Sequence, residues 1–231
     1  MRVLITRPQP DADRTGAAVR AAGHEPLVCP LMRVDLRPEA LHVPVGTDAL
    51  AFTSANGVRA YAAADGPPLP TYAVGPASAR EAAANGLPVV GVAAADVASL
   101  AAMIAQAGPP RVLHVSGKAA AGDLCEALRF AGVVCERTVL YEAVAETALT
   151  PVMVSMIRSG PDWLLLYSPR SARLFERLVR SAGLEASAAG MRLAALSPAV
   201  SGAIALPFAE RHVPDRPASS ALVDIISGRD T

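Results

Sequence analysis

The stretch DALAFTSANGVRAY, residues 48–61, returns in altered form as DWLLLYSPRSARLF, and this repetition limits most strongly what the chain can fold into. Asp162 stands for Asp48, Leu164 for Leu50, Ser168 for Ser54 and Phe175 for Tyr61, at a constant offset of 114 residues. Each copy runs from a short apolar segment through a small hydroxyl residue into apolar residues at helical spacing. That is the pattern of a buried strand turning directly into a helix. A junction built twice implies two units of one kind. The 52% hydrophobic content supplies a core for both, and with only 4% aromatic residues Ala, Val and Leu provide most of the packing.

The repeat extends further. YAVGPASA (72–79) matches LAALSPAVS (193–201), with Pro76 against Pro198, and ASLAAMI (98–104) matches SALVDII (220–226). Strands are expected at RVLIT, EPLVCPL, DALAFTS, TYAVG, LPVVGV, RVLHVSG, VVCERTVLYEAV, DWLLLYS, MRLAALS and ERHVP, with helical patterns between them. Such alternation predicts parallel sheets covered on both faces. MRVDLRPE alternates apolar and polar residues, as an exposed strand does.

Residues 1–30 read as strand–helix–strand and precede the first repeat unit. Their counterpart, RVLHVSGKAAAGDLCEALRFAGVVCE, follows that unit. The expected fold is therefore α/β, with two doubly wound parallel-sheet domains. One is discontinuous, formed by residues 1–30 and 151–231, and the other covers 38–136. Segments 31–37 and 137–145 cross between them as a two-stranded ladder.

Charge and composition exclude several classes. Twenty-one basic and 21 acidic residues cancel, which argues against nucleic acid or anionic lipid as partners. Backbone donors at helix starts remain available to a small anion. The apolar run in MRVLITRP is too short for a secretory signal, and no stretch approaches the roughly 20 apolar residues of a membrane span. The chain is expected in the cytoplasm. Cys29, Cys125 and Cys135 are odd in number and lack close spacing, and are expected as reduced, packed thiols. His24, His42, His114 and His212 form no metal-ligand pattern. No glycine fingerprint for a dinucleotide follows the first strand, and Gly117-Lys118 lacks the upstream glycine of a phosphate-binding loop.

In an open parallel sheet ligands bind beyond the carboxyl ends of the strands. There the first N–H groups of the next helix lack partners and carry partial positive charge. Ser54 and Ser168 suit helix N-caps at such positions. Capping alone would explain each one; the pair predicts a ligand site lined by helix starts.

VLITRP, CPLMRVDL, AFTSANGVRA, YAVGPASA, VLYEAV, LLLYSPRSARLF and LAALSPAVS, in this order over nearly the whole chain, resemble the uroporphyrinogen-III synthase family. The resemblance implies a HemD-like fold of two flavodoxin-like domains joined by a two-stranded ladder, with the active site in the cleft between them. It implies a cytosolic, cofactor-free, metal-free enzyme of tetrapyrrole synthesis. Its substrate would be hydroxymethylbilane, four pyrroles in a row carrying eight carboxylates. Loss of the terminal hydroxyl as water gives an azafulvene. The last ring attacks it through a substituted carbon, and the resulting spiro intermediate reopens and recloses with that ring inverted. Such a reaction asks mainly for the chain to be held folded.

The resemblance places the candidate acid at Tyr141, whose phenol would donate a hydrogen bond to the departing hydroxyl; the competing reading is a ribbon tyrosine packed on a neighbouring strand. Candidate substrate-binding residues are Thr53 and Ser54, Ser78 after VGPA, Ser168 in YSPRS, Ser197, and Ser116, Gly117 and Lys118 in HVSGK. Val200 stands where the second copy would need a hydroxyl. Many family members have Arg-Gly where this chain has Ser116-Gly117, so a basic contact there is in doubt. Arg7 and Lys118 are candidate carboxylate partners. The expected partners are the substrate and transiently the upstream deaminase, with the protein a monomer. The rival reading is a noncatalytic two-lobed protein that binds a small anion.

Overall fold

The computed structural model describes residues 1–94, 96–119, 122–216, 218 and 220–229. The strands in chain order are β1 (Arg2–Ile5), β2 (Glu25–Val28), β3 (Met32–Leu36), β4 (Ala49–Phe52), β5 (Thr71–Val74), β6 (Val89–Ala93), β7 (Arg111–Gly117), β8 (Val134–Ala145), β9 (Trp163–Leu166), β10 (Arg192–Ala195) and β11 (Glu210–His212). The helices are α1 (Asp11–Ala21), α2 (Ala55–Ala63), α3 (Gly75–Ala84), α4 (Val97–Ala107), α5 (Leu124–Phe130), α6 (Pro151–Arg158), α7 (Pro169–Ser181), α8 (Glu185–Ala189), α9 (Pro198–Ser201) and α10 (Ala221–Ile226). The four-residue α9 and five-residue α8 have no counterpart in the sequence pattern, because elements so short show no periodicity.

The chain divides into two compact units. Unit 1 is Met1–Arg33 with Val144–Thr231; unit 2 is Val34–Ala143. The sheet of unit 1 has the order β11-β10-β9-β1-β2, and the other sheet the order β3-β8-β7-β4-β5-β6. Neighbours are parallel throughout unit 1 and from β8 to β6 in unit 2. The pair β3 and β8 runs antiparallel: Glu146 N–H donates to Leu31 O (2.9 Å), and further along Arg37 N–H donates to Leu140 O (2.7 Å).

Strand for strand, β9, β10, β11, β1 and β2 correspond to β4, β5, β6, β7 and β8. Both units thus hold the same sheet, built in different chain order. The registers agree as well: Val3 pairs with Trp163 as Val112 pairs with Ala49. By this equivalence Ile5 occupies the place of His114, Arg7 that of Ser116, and Tyr167 that of Thr53.

Strands covered on both faces need apolar residues at every position, and β4 (ALAF) and β9 (WLLL) are buried throughout. Successive β9 residues feed different cores. Leu164 and Leu166 pack with Leu174, Phe175, Leu178 and Met191, while Trp163 and Leu165 pack with Val3, Ile5 and Leu222. In unit 2, Leu50 and Phe52 pack with Val58 and Tyr61, and Ala49 and Ala51 with Leu100 and Leu124. Burying one Leu or Phe contributes about 1.5–3 kcal/mol, so these central strands carry much of each unit's stability. Gly57 explains the small residues that open α2: a Cβ there would sit 2.9 Å from Val115 O, so only glycine lets the helix lie this close to β7.

The cysteine expectation is corrected. Cys125 and Cys135 form a disulfide, because the turn from α5 into β8 brings their Cα atoms to 5.0 Å. Cys29 is free and buried, and burial pushes its thiol pKa up to about 12. No helix among the described residues is long and apolar enough to cross a membrane.

Candidate active site

Because the strands of each unit run parallel, the turns that follow them gather at one edge of the sheet. In unit 2 this edge carries Thr53 and Ser54 after β4, Ser78 in the first turns of α3 after β5, Ser116 and Gly117 ending β7, and Lys118 beyond them. β7 and β8 pair Gly117 with Tyr141, so Tyr141 joins the same edge. In unit 1 the edge carries Arg7 after β1, Ser168 after β9 and Ser197 after β10.

The hydroxyls divide by what holds them. Ser54 caps α2, accepting from Asn56 N–H at 3.2 Å. Ser168 caps α7 and accepts from Ser171 N–H at 3.1 Å, with Ser171 Oγ 2.8 Å away. Ser197 caps α9, accepting from Val200 N–H at 3.4 Å. Each cap stabilises its helix by about 1 kcal/mol. Ser78 is buried within α3.

Thr53 Oγ1 lies 3.5 Å from His114 Nε2. His114 is buried on β7, and its pKa falls from 6.5 to about 4, first through desolvation and then through the nearby Arg137 guanidinium, with Asp123 opposing. The imidazole is therefore neutral near pH 7. His114 was not singled out in the sequence, where one histidine in a strand carries no distinguishing pattern.

Tyr141 is half-buried. Part of its ring packs with the Leu50, Phe52 and Leu113 core, and the rest lies against Gly117. A Cβ on Gly117 would fall 2.6 Å from the Tyr141 ring, so the glycine makes the space in which the ring rests. Lys118 N–H donates to Tyr141 O at 2.9 Å, fixing the loop to the strand. Among the described residues the Tyr141 hydroxyl has no hydrogen-bond partner.

The two cations named from the sequence both have carboxylate partners. Lys118 Nζ lies 3.0 Å from Glu142, which also takes Arg37 at 2.7 Å. Arg7 pairs with Asp11 at 3.2 Å, donates to Thr15, and stands 4.3 Å over the Tyr167 ring. Burial raises the Tyr167 pKa, and the adjacent Arg7 charge works against that rise. A further cation appears only in the structure. Arg137, on β8, donates through Nε to Ser116 Oγ at 2.7 Å and through Nη2 to Gly117 O at 2.8 Å and Lys118 O at 3.2 Å. A surface concavity of about 660 Å³, lined by Asp123, Glu126, Arg129 and the Cys125–Cys135 bridge among others, holds none of the candidate residues. No group of three or more His, Cys, Asp or Glu residues among the described ones is placed to hold a metal ion.

Tyr141 thus offers a hydroxyl hydrogen-bond donor beside neutral amide and hydroxyl groups. That set suits a reaction whose leaving group departs readily and whose substrate must be held. The family model described as uroporphyrinogen-III synthase HemD matches residues 13–224. No curated protein sequence matches the chain. Among solved structures, the uroporphyrinogen-III synthetase of Helicobacter pylori superposes with a TM-score of 0.63 at 17% identity, over 98% of each chain. A mutant uroporphyrinogen III synthase of Thermus thermophilus superposes with a TM-score of 0.54 at 18% identity, over 99% of this chain and 96% of that one. These two likenesses, both below 25% identity, carry the two-unit α/β fold, and the family match covers all but the ends: the chain belongs to the uroporphyrinogen-III synthase family.

Proposed function

We propose that this protein converts hydroxymethylbilane to uroporphyrinogen III. The observation that carries the reading is Tyr141: its ring is seated against Gly117, and its hydroxyl has no hydrogen bond to the protein among the described residues. The pyrrole nitrogen lone pair expels the terminal hydroxyl, and Tyr141 donates a hydrogen bond to that oxygen as it leaves as water. The azafulvene is attacked by the substituted carbon of the last ring. The spiro intermediate fragments and recloses through the other carbon, and loss of a ring proton restores the pyrrole. No electrons are exchanged with an acceptor, so the step requires no redox cofactor. Substrate carboxylates are taken up by N–H groups at the unit 2 edge after β4 and β5, where helix starts favour anions. In this reading the chain is a cytoplasmic, monomeric hydro-lyase that receives its unstable substrate from the deaminase producing it.

Freshly prepared hydroxymethylbilane, incubated with the protein and then oxidised, is expected to yield mostly the type III isomer on chromatography. Type I product alone, as in the enzyme-free reaction, would reject the proposal. Sedimentation velocity tests the monomer, and a doubling of mass would exclude it. The second reading, a noncatalytic anion binder, draws on the packing of Tyr141 against the unit 2 core. It predicts binding of the oxidised porphyrin with no change in isomer ratio.

A further inference from the structure

The register of the two sheets equates Arg7 of unit 1 with Ser116 of unit 2. Just beyond β1 a guanidinium comes from Arg7, in the segment that continues that strand. At the end of β7 the strand supplies only a hydroxyl, and a guanidinium reaches that place from β8, where Arg137 is bound to Ser116, Gly117 and Lys118. Both edges therefore carry a guanidinium near the equivalent point, one from the segment after β1 and one from β8.

Their charges are treated differently. Arg7 is compensated by Asp11, as Lys118 is by Glu142 and Arg59 by Glu81. Arg137 bonds only neutral oxygens, and among the described residues none of its partners is a carboxylate. Its Nε and Nη2 hydrogens are used in fixing the plane, and among the described residues both Nη1 hydrogens have no protein acceptor. The residue is exposed. A guanidinium held flat by neutral acceptors, with one amino group open to solvent, is preorganised for an oxyanion: the ordering cost is already met before the ligand arrives.

We propose that Arg137 is the carboxylate-binding residue of the unit 2 edge and positions a carboxylate of the substrate near Tyr141. This rests on the synthase reading for the identity of the ligand, but not for the existence of the anion site. The binding role explains the missing basic residue at Ser116: the charge comes from the adjacent strand, and the serine serves as its seat.

The test uses Arg137→Gln and Arg137→Lys in the full-length protein, with far-UV circular dichroism to confirm folding. For Arg137→Gln we expect KM for hydroxymethylbilane to rise about tenfold, as for loss of one charged hydrogen bond, with kcat changed less than about threefold. Direct binding is read with uroporphyrin III, an octacarboxylate, by fluorescence against sodium chloride. The slope of log Kd on log salt should fall by about one in Arg137→Gln and return in Arg137→Lys. Unchanged KM and Kd in Arg137→Gln overturn the proposal. So does a KM rise that the lysine does not ease, with an unaltered salt slope, because Arg137 would then only staple the loop. If the unaltered protein forms no type III isomer yet binds uroporphyrin III through Arg137, the synthase reading fails and the anion site stands.

Discussion

The two units hold the same sheet, yet their carboxyl-terminal edges are furnished differently. In unit 1 the edge is self-contained: Arg7 is neutralised by Asp11 and stacked on Tyr167, and Ser168 and Ser197 close helix starts. In unit 2 the matching places hold His114 in place of Ile5, Thr53 in place of Tyr167, and Ser116 with Arg137, which has no carboxylate partner among the described residues, in place of Arg7. The difference teaches that repetition here preserved the scaffold and released the edge residues to diverge. On the proposed function the chemistry falls to unit 2, which holds Tyr141 and Arg137.

Acid gives the largest test of that asymmetry. The folded pKa of His114 is about 4 against 6.5 for an ordinary histidine. The unfolded chain therefore binds a proton that the folded one refuses between those values. The associated stability is complete above pH 6.5, declines as pH falls toward 4, and amounts to about 3 kcal/mol. Unit 1 has Ile5 at this place. Hydrogen exchange across that window should show unit 2 amides losing protection first, and His114→Gln should flatten the dependence. Equal loss in both units would break the comparison. Next is Tyr141→Phe, expected to lower kcat by about 100-fold with the thermal midpoint nearly unchanged, whereas Tyr167→Phe should cost less than about threefold in steady-state assays. Similar losses in the two variants would return Tyr141 to a packing role.

Gly117→Ala comes third. The new methyl would displace the Tyr141 ring, and kcat should fall by about tenfold, as for a misplaced catalytic group, at little cost in binding of uroporphyrin III. The smallest effects should come from Ser54→Ala and Ser168→Ala, each removing about 1 kcal/mol of stability in denaturant melts through loss of a helix cap. Here the comparison is sharpened by rate: only Ser54→Ala should also alter kcat/KM.

The fold was legible because its signals are local and repeated. Period-two and helical patterns mark β4 with α2 and β9 with α7, and the 114-residue offset links them. α9 escaped detection because a single turn has no period, and the disulfide because cysteines ten residues apart, on α5 and β8, form no recognised spacing. The candidate residues at Ser54 and Ser168 were readable as caps, since each precedes a helical pattern, whereas the cap at Ser197 was not, since α9 is a single turn. Arg137 was not readable. Its importance depends on the register of β7 against β8, which carries a side chain 21 residues away in sequence onto Ser116. His114 was invisible for a similar reason, as its burial and its approach to Thr53 arise only once β4 and β7 pair.

Strand β1 lies inside its sheet, flanked by β2 and by β9, a strand some 160 residues later in the chain. During synthesis Val3, Leu4 and Ile5 leave the ribosome with one neighbour at hand and must wait for the other until most of the protein has been made. Unit 2 has all its strands in one continuous run and is free to assemble in the meantime. Proteolysis of ribosome-bound chains halted once unit 2 has left the exit tunnel but before β9 has emerged should therefore spare unit 2 and cut the first thirty residues; protection of both would contradict this order. The sequence of events makes the amino-terminal strand the exposed, association-prone part of the newborn chain, and places the demand for chaperone cover there rather than on unit 2.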